Sequence, residues 1–152
     1  MFSPLAHHVT LKSFHLDCYS IHDVDDAKAA NCLLPFHDWI EEAKRRCLKE
    51  LRLFYLPPIP LKPTTFFCSK TLVVLRLMNS VVSTMFHCSV DLPSLKTLNL
   101  SFVRFQDMED VMKLLSGCPI LENLRTFYVT ATSGVTLGGY YKPLSKLITA
   151  DI

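Results

Sequence analysis

No apolar run in this chain approaches the roughly 18 residues that a membrane span needs. The richest stretch, Leu53 to Leu61, is broken by Pro57, Pro58 and Pro60. The first fifteen residues show no basic segment followed by an apolar one, so no signal peptide is read there. Net charge is only +2, which gives no electrostatic reason to expect a nucleic-acid partner. Glycine is scarce, 4 residues in 152. The phosphate loop G-x-x-x-x-G-K-S/T is absent, because no lysine follows Gly134 and Gly138 at that spacing. Neither G-x-S-x-G nor H-E-x-x-H occurs, and His22-Asp23 and His37-Asp38 have no nucleophile motif beside them. Catalysis, a bound cofactor and a membrane location are therefore not expected.

The six cysteines, Cys18, Cys32, Cys47, Cys68, Cys88 and Cys118, form no C-x-x-C pair and no zinc-finger spacing. Without a secretory signal they read as reduced thiols of an intracellular protein, in the cytoplasm or nucleus. Asp23, Asp25 and Asp26 near His22 match no calcium loop and read as a solvated, helix-capping stretch, so no metal site is expected.

What the chain does have is a recurring phrase. Leu72-Val73-Val74-Leu75-Arg76-Leu77 has the form L-x-x-L-x-L, as do Leu48 to Leu53 and Leu95 to Leu100. Looser copies start at Leu11, Leu121 and Leu144. The gaps between starting leucines are 37, 24, 23, 26 and 23 residues. Four of the five fall within the roughly 20–29-residue period of leucine-rich repeats. In a short strand, side chains alternate between faces, so motif positions 4 and 6 point inward while position 1 anchors the turn before. One such strand cannot bury its leucines alone; stacked on its copies, it lines a continuous core. The expected fold is an α/β leucine-rich-repeat solenoid of about six repeats. Its parallel β-sheet lies on the concave face, with helices and irregular crossovers on the convex face. Residues 1–10 are expected to be unstructured and residues 11–152 to form the repeat domain.

Between the strands, Pro35 to Cys47 reads as an amphipathic helix. Phe36, Trp39, Ile40, Ala43 and Cys47 form one apolar stripe, and Glu41–Arg45 and Glu42–Arg46 are i,i+4 pairs. This insertion accounts for the long first gap. Leu56 to Thr65 holds four prolines and reads as an irregular crossover. Residues 81–91 are β-branched and too short for a helix. Phe105 to Ser116 reads as a second helix, with Phe105, Met108, Val111, Met112 and Leu115 inward, Gly117 at its C-terminal cap and Pro119 beyond. Gly138-Gly139 marks a turn in the segment Thr130 to Tyr141.

Three phrases carry a resemblance: Ser69 to Leu77 (SKTLVVLRL), Asp91 to Leu100 (DLPSLKTLNL) and Leu114 to Glu122 (LLSGCPILE). They resemble the repeats of plant F-box/LRR and F-box/FBD/LRR-repeat proteins, and Trp39 in a helix before the second strand is similar too. The resemblance covers roughly residues 11–149. It implies the substrate-recognition part of an SCF-type ubiquitin ligase, whose repeats hold a target protein or peptide. There an N-terminal F-box binds the Skp adaptor and, through it, the cullin. No F-box precedes Leu11 and no FBD segment follows Ile152, so Skp and cullin are expected as partners only of a longer chain that carries the F-box. The alternative is an F-box-less interaction scaffold or a truncated paralogue with no ligase role.

The outward position between the two inward leucines gives one row across the concave face: His15, Arg52, Arg76, Asn99, Arg125 and Ile148. The next row is Asp17, Phe54, Met78, Ser101, Phe127 and Ala150. Arg52 and Arg76 would be neighbours that repel unless an anion lies between them. The expected ligand is a protein or peptide with acidic or phosphorylated groups facing Arg52 and Arg76, and an apolar part on Phe54 and Met78. The expected binding residues are His15, Arg52, Phe54, Arg76, Met78, Asn99, Arg125 and Phe127. The competing expectation leaves these as ordinary exposed strand residues, with the arginines paired to Glu50 or to loop acids.

Overall fold

The computed structural model describes residues 10–17, 37–54, 61–133 and 146–151. Its backbone is a single sheet in which every strand pair is parallel. The strands are β1 (Ser13–Asp17), β2 (Glu50–Phe54), β3 (Val74–Val81), β4 (Thr97–Asp107), β5 (Asn123–Phe127), β6 (Thr130–Ser133) and β7 (Thr149–Asp151). They lie in the order β1-β2-β3-β4-β5-β7, and β6 pairs with the far end of β4. From β1 to β5, strands consecutive in the chain lie side by side, as a stack of like units requires.

The register follows the leucines. Leu51, Leu75, Leu98 and Leu124 are aligned across β2 to β5, and Leu53 aligns with Leu77 and Leu100. These residues are all buried, as are the anchoring leucines at 48, 72, 95 and 121. Each buried leucine side chain contributes about 1.5–3 kcal/mol, which strands of this length could not obtain singly. One backbone device recurs at every step. The carbonyls of Lys12, Lys49, Val73, Lys96 and Glu122 each accept two consecutive amides from the next unit, at 2.7–3.1 Å. Thr71 Oγ1 donates to the Leu48 carbonyl (2.9 Å) and Ser94 Oγ to the Lys70 carbonyl (2.6 Å), satisfying two turn carbonyls that precede strands.

The last copy of the motif is displaced from its expected place. Glu122 O accepts from the amides of Ile148 and Thr149, so the anchoring leucine is Leu147 rather than Leu144. Asp151 therefore stands opposite Arg125 where Ile148 was expected, and Ala150 is aligned with the inward Leu124. Leu144 and Leu147 are three residues apart; L-x-x-L is spelled from Leu144, whereas from Leu147 the fourth position is Ala150.

Behind the sheet, helix α1 is described over residues 37–45. Its buried positions are Ile40, Ala43 and Arg46, whereas Trp39 is 43% exposed and Cys47 is exposed. The expected stripe through Trp39 and Cys47 is thus rotated: spacing of three carries the burial instead. Glu41 pairs with Lys44 (3.2 Å) and Glu42 with Arg45 (2.9 Å), each at i,i+3. Cys47 has φ +58° and ends the turn that follows the helix. In the proline-rich crossover, α2 (Pro63–Phe66) is a single turn with Pro63 at its start, burying Phe66. No helix forms over residues 81–91.

Helix α3 (Met108–Ser116) starts later than expected. Phe105 belongs to β4, which runs to Asp107 with Val103 and Phe105 both inward. Asp107 caps the helix, its Oδ1 accepting from the Asp110 amide at 3.2 Å. At the other end Gly117 has φ −81°, so the left-handed cap is not formed. Glycine serves close approach instead: a Cβ there would lie 2.2 Å from Val90 Cγ1 and 2.8 Å from the Val90 carbonyl. The segment read as a turn-rich stretch contains β6, while Gly138-Gly139 and the His22 to Asp26 cluster lie outside the described residues. Among the described residues no helix is long and apolar enough to cross a membrane, and no group of three or more side chains could hold a metal ion.

Candidate protein-binding face

Alternation along β2 to β5 leaves one sheet face without a covering helix among the described residues. Its first row aligns His15, Arg52, Arg76, Asn99, Arg125 and Asp151 across six strands. Its second aligns Asp17, Phe54, Met78, Ser101 and Phe127. All eight expected residues thus share one face, but they differ in circumstance. His15 and Arg125 are exposed; Arg52, Phe54, Arg76, Met78 and Asn99 are half-buried.

For Arg52 the chain itself supplies a counterion. Glu50, two residues before Arg52 and on the same face of β2, forms an ion pair with Arg52 Nε. Arg52 is therefore held by an ion pair within its own strand. Arg76 and Arg125 have no such partner: no carboxylate pairs with either among the described residues. Arg76 Nε is shielded from solvent without a hydrogen-bond acceptor, so this guanidinium is partly desolvated at its root. Between them lies a recess of about 290 Å³ lined by Arg76, Thr97, Asn99, Asn123, Arg125 and Thr149. Every one of those side chains carries an N–H or O–H donor, and none is acidic.

Sequence reasoning missed the neighbouring feature. Asn79, Phe102 and Tyr128 all have left-handed backbone, φ +55°, +52° and +50°. Each is the eighth residue counted from its anchoring leucine, so the three form a column across β3, β4 and the β5–β6 junction. The kink inserts one outward residue and then restores the alternation: Ser80 and Val103 are again buried, and pairing resumes with Ser80↔Val103 and Arg104↔Thr130. Consecutive residues, Phe127 and Tyr128, therefore both face outward. Phe102 stacks on Tyr128 (centroids 5.3 Å apart, planes within 6°), and Phe127 meets both rings edge-on at 5.3 and 4.8 Å. The three are 51%, 56% and 67% exposed (Phe102, Phe127, Tyr128), a contiguous aromatic cluster at the end of the row that begins with Asp17. Arg104 lies beyond it, in a second recess of about 410 Å³ shared with Asn79, Phe102 and Tyr128. The signal was available: counting on from L-x-x-L-x-L to position eight finds Asn, Phe and Tyr.

The titratable groups that depart from ordinary behaviour lie away from this face. Burial pushes the Cys118 thiol up to about 12. Burial, with the adjacent Cys68 thiol, also raises Cys88; both sulfurs point to the Ser89 carbonyl, at 3.1 and 3.6 Å. Neither Cys88 nor Cys118 is an activated nucleophile. His37 Nε2 accepts from the Lys62 amide (3.5 Å) and its ring abuts Phe66.

Residues 36–137 match the family described as the LRR repeats of FBD-associated F-box protein At5g56370. The chain belongs to this plant F-box/FBD/LRR-repeat family, in its LRR portion. It is similar to the F-box/LRR-repeat protein At3g59200 of Arabidopsis thaliana, 40% identical over 118 residues, which is 76% of this chain and 21% of that protein. It is also similar to the FBD-associated F-box protein At3g52670 of the same plant, 40% identical over 87 residues, 57% of this chain and 21% of that one. The chain spans about a fifth of the length of these LRR-family relatives. No solved structure matches it. Membership in this family, with its parallel sheet and open face, supports a protein-interaction LRR module.

Proposed function

We propose that this chain is the substrate-recognition repeat region of an SCF-type ubiquitin ligase F-box protein, acting inside the cell and without catalysis of its own. The repeats form a solenoid of six units, and its concave face holds the target protein. A Skp adaptor and cullin are recruited through an F-box elsewhere in the same polypeptide. The observation that carries this reading is the match of residues 36–137 to F-box LRR repeats, joined to a sheet face on which outward arginine, asparagine and aromatic residues stand in two rows. Solenoids use such faces for binding.

The test is co-precipitation from plant cells with the full translation product that carries this sequence. It should bring down Skp adaptor and cullin, and its targets should accumulate when it is removed. Partner capture on this face with no Skp adaptor bound would overturn the ligase role and leave an interaction scaffold.

A further inference from the structure

We propose that the C-terminal half of the open face binds an extended peptide in which a carboxylate side chain and an apolar side chain stand two positions apart. The carboxylate enters the recess between Arg76 and Arg125, and the apolar side chain rests on Phe102, Phe127 and Tyr128. This rests on the reading of the open face as a protein-binding surface, and it names the partner's chemistry.

Charge selects the first group. The recess presents donors from six side chains and no acceptor of negative charge. Asp151 stands opposite Arg125 in register, so the row of Arg76, Asn99, Arg125 and Asp151 carries one net positive charge. That balance suits a carboxylate better than a phosphate dianion. A carboxylate among such donors gains charge-assisted hydrogen bonds.

Spacing selects the second group. Arg125 and Phe127 are outward residues of the same strand, two positions apart, about 6.6 Å along it. An extended peptide laid along the strand repeats that distance between its own residues i and i+2. Phe127 is flanked by two further rings only because the left-handed kink turns Tyr128 outward as well. Left-handed backbone is unfavourable for phenylalanine and tyrosine, and residues held there cluster at binding sites. Tyr and Arg are also the side chains over-represented where partners dock.

The rings argue against single-stranded nucleic acid. Base stacking needs free ring faces. Here Phe102 and Tyr128 each already give one face to the other, and Phe127 stands nearly perpendicular to both.

The experiment is fluorescence anisotropy with the full chain and fluorescein-labelled nine-residue peptides in a Gly/Ser background. One set carries Glu-Ser-Phe or Phe-Ser-Glu, a second Glu-Phe adjacent, a third phosphoserine in place of Glu, and a fourth arm is oligo-dT. The first set should bind, with affinity lowered about tenfold in the adjacent set and in Arg125→Glu, Arg125→Ala and Tyr128→Ala. Arg52→Glu should change it less than twofold. Circular dichroism of each variant checks that the fold is retained. Equal binding of the adjacent set, tighter binding of phosphoserine or of oligo-dT, or equal loss in Arg52→Glu would each overturn the proposal. The family reading is tested separately. If the full translation product still captures Skp adaptor and targets, and Arg125→Glu with Tyr128→Ala leaves target capture intact, the peptide assignment falls and the ligase reading stands.

Discussion

Arg52 and Arg125 occupy the same row of one sheet, three strands apart, yet their chemistry differs. Arg52 is half-buried, tied to Glu50 on its own strand, and followed by Phe54, which is half-buried. Arg125 is exposed, has no carboxylate paired to it among the described residues, and is followed by Phe127 in an exposed aromatic cluster. The first end spends its charge within the chain; the second leaves it available. An arginine on a binding face is thus not a binding residue by position alone. What decides is whether the chain supplies its counterion and whether apolar surface lies beside it.

The strongest way to break this comparison is to remove what both ends share. Leu98 is fully buried in β4, between the strands that carry the two arginines. Leu98→Ala should cost about 2–5 kcal/mol in urea unfolding and abolish both ends in one transition. Two separate transitions would mean that the sheet is not one cooperative unit. Gly117→Ala comes next. Its Cβ would meet Val90 side chain and carbonyl, so about 1–3 kcal/mol should be lost, with peptide affinity unchanged in the protein that remains folded.

Two smaller changes sharpen the contrast. Tyr128→Gly removes the left-handed cost of roughly 1–2 kcal/mol but also the ring contacts. Its melting temperature should therefore move little while peptide binding falls about tenfold. Asp110 lies buried behind the sheet, and burial, with Asp107 beside it, raises its carboxyl above the ordinary range. The folded state then holds this proton more tightly than the unfolded chain. Stability should rise as pH falls from neutral through that raised range, until the unfolded carboxyl also protonates. Asp110→Asn should remove this slope and leave both arginine ends unaltered. The smallest effect is expected from Glu50→Gln, which frees Arg52. Stability should change by less than about 1 kcal/mol, and the N-terminal end should gain affinity for acidic peptides.

Much of this was legible in the chain. The leucines at 48, 51, 53, 72, 75, 77, 95, 98, 100 and 121 had to point inward, and counting between them gave the correct register for β1 to β5. The count failed at the last strand because L-x-x-L is spelled from Leu144, whereas the chain anchors on Leu147 and sets Ala150 where a leucine was sought. Phe105 was drawn into the helix because it lies three residues before Met108; it also fits the alternation with Val103, and the strand prevailed. Trp39 was placed in the core for being apolar, but a stripe of Ile40, Ala43 and Arg46 is what packs. The aromatic cluster was hidden for a physical reason. A left-handed kink is ordinarily announced by glycine, and here asparagine, phenylalanine and tyrosine adopt it, supported by pairing on both sides. The pairing of Arg52 with Glu50 was foreseeable from their two-residue spacing on one strand face.

The most direct measurement is an amide-shift titration of the isotope-labelled chain with the Glu-Ser-Phe peptide. The largest shifts are expected at Asn99, Arg125, Phe127 and Tyr128, with His15, Arg52 and Phe54 unmoved. Shifts centred on β1 and β2, or on helix α3, would contradict the account.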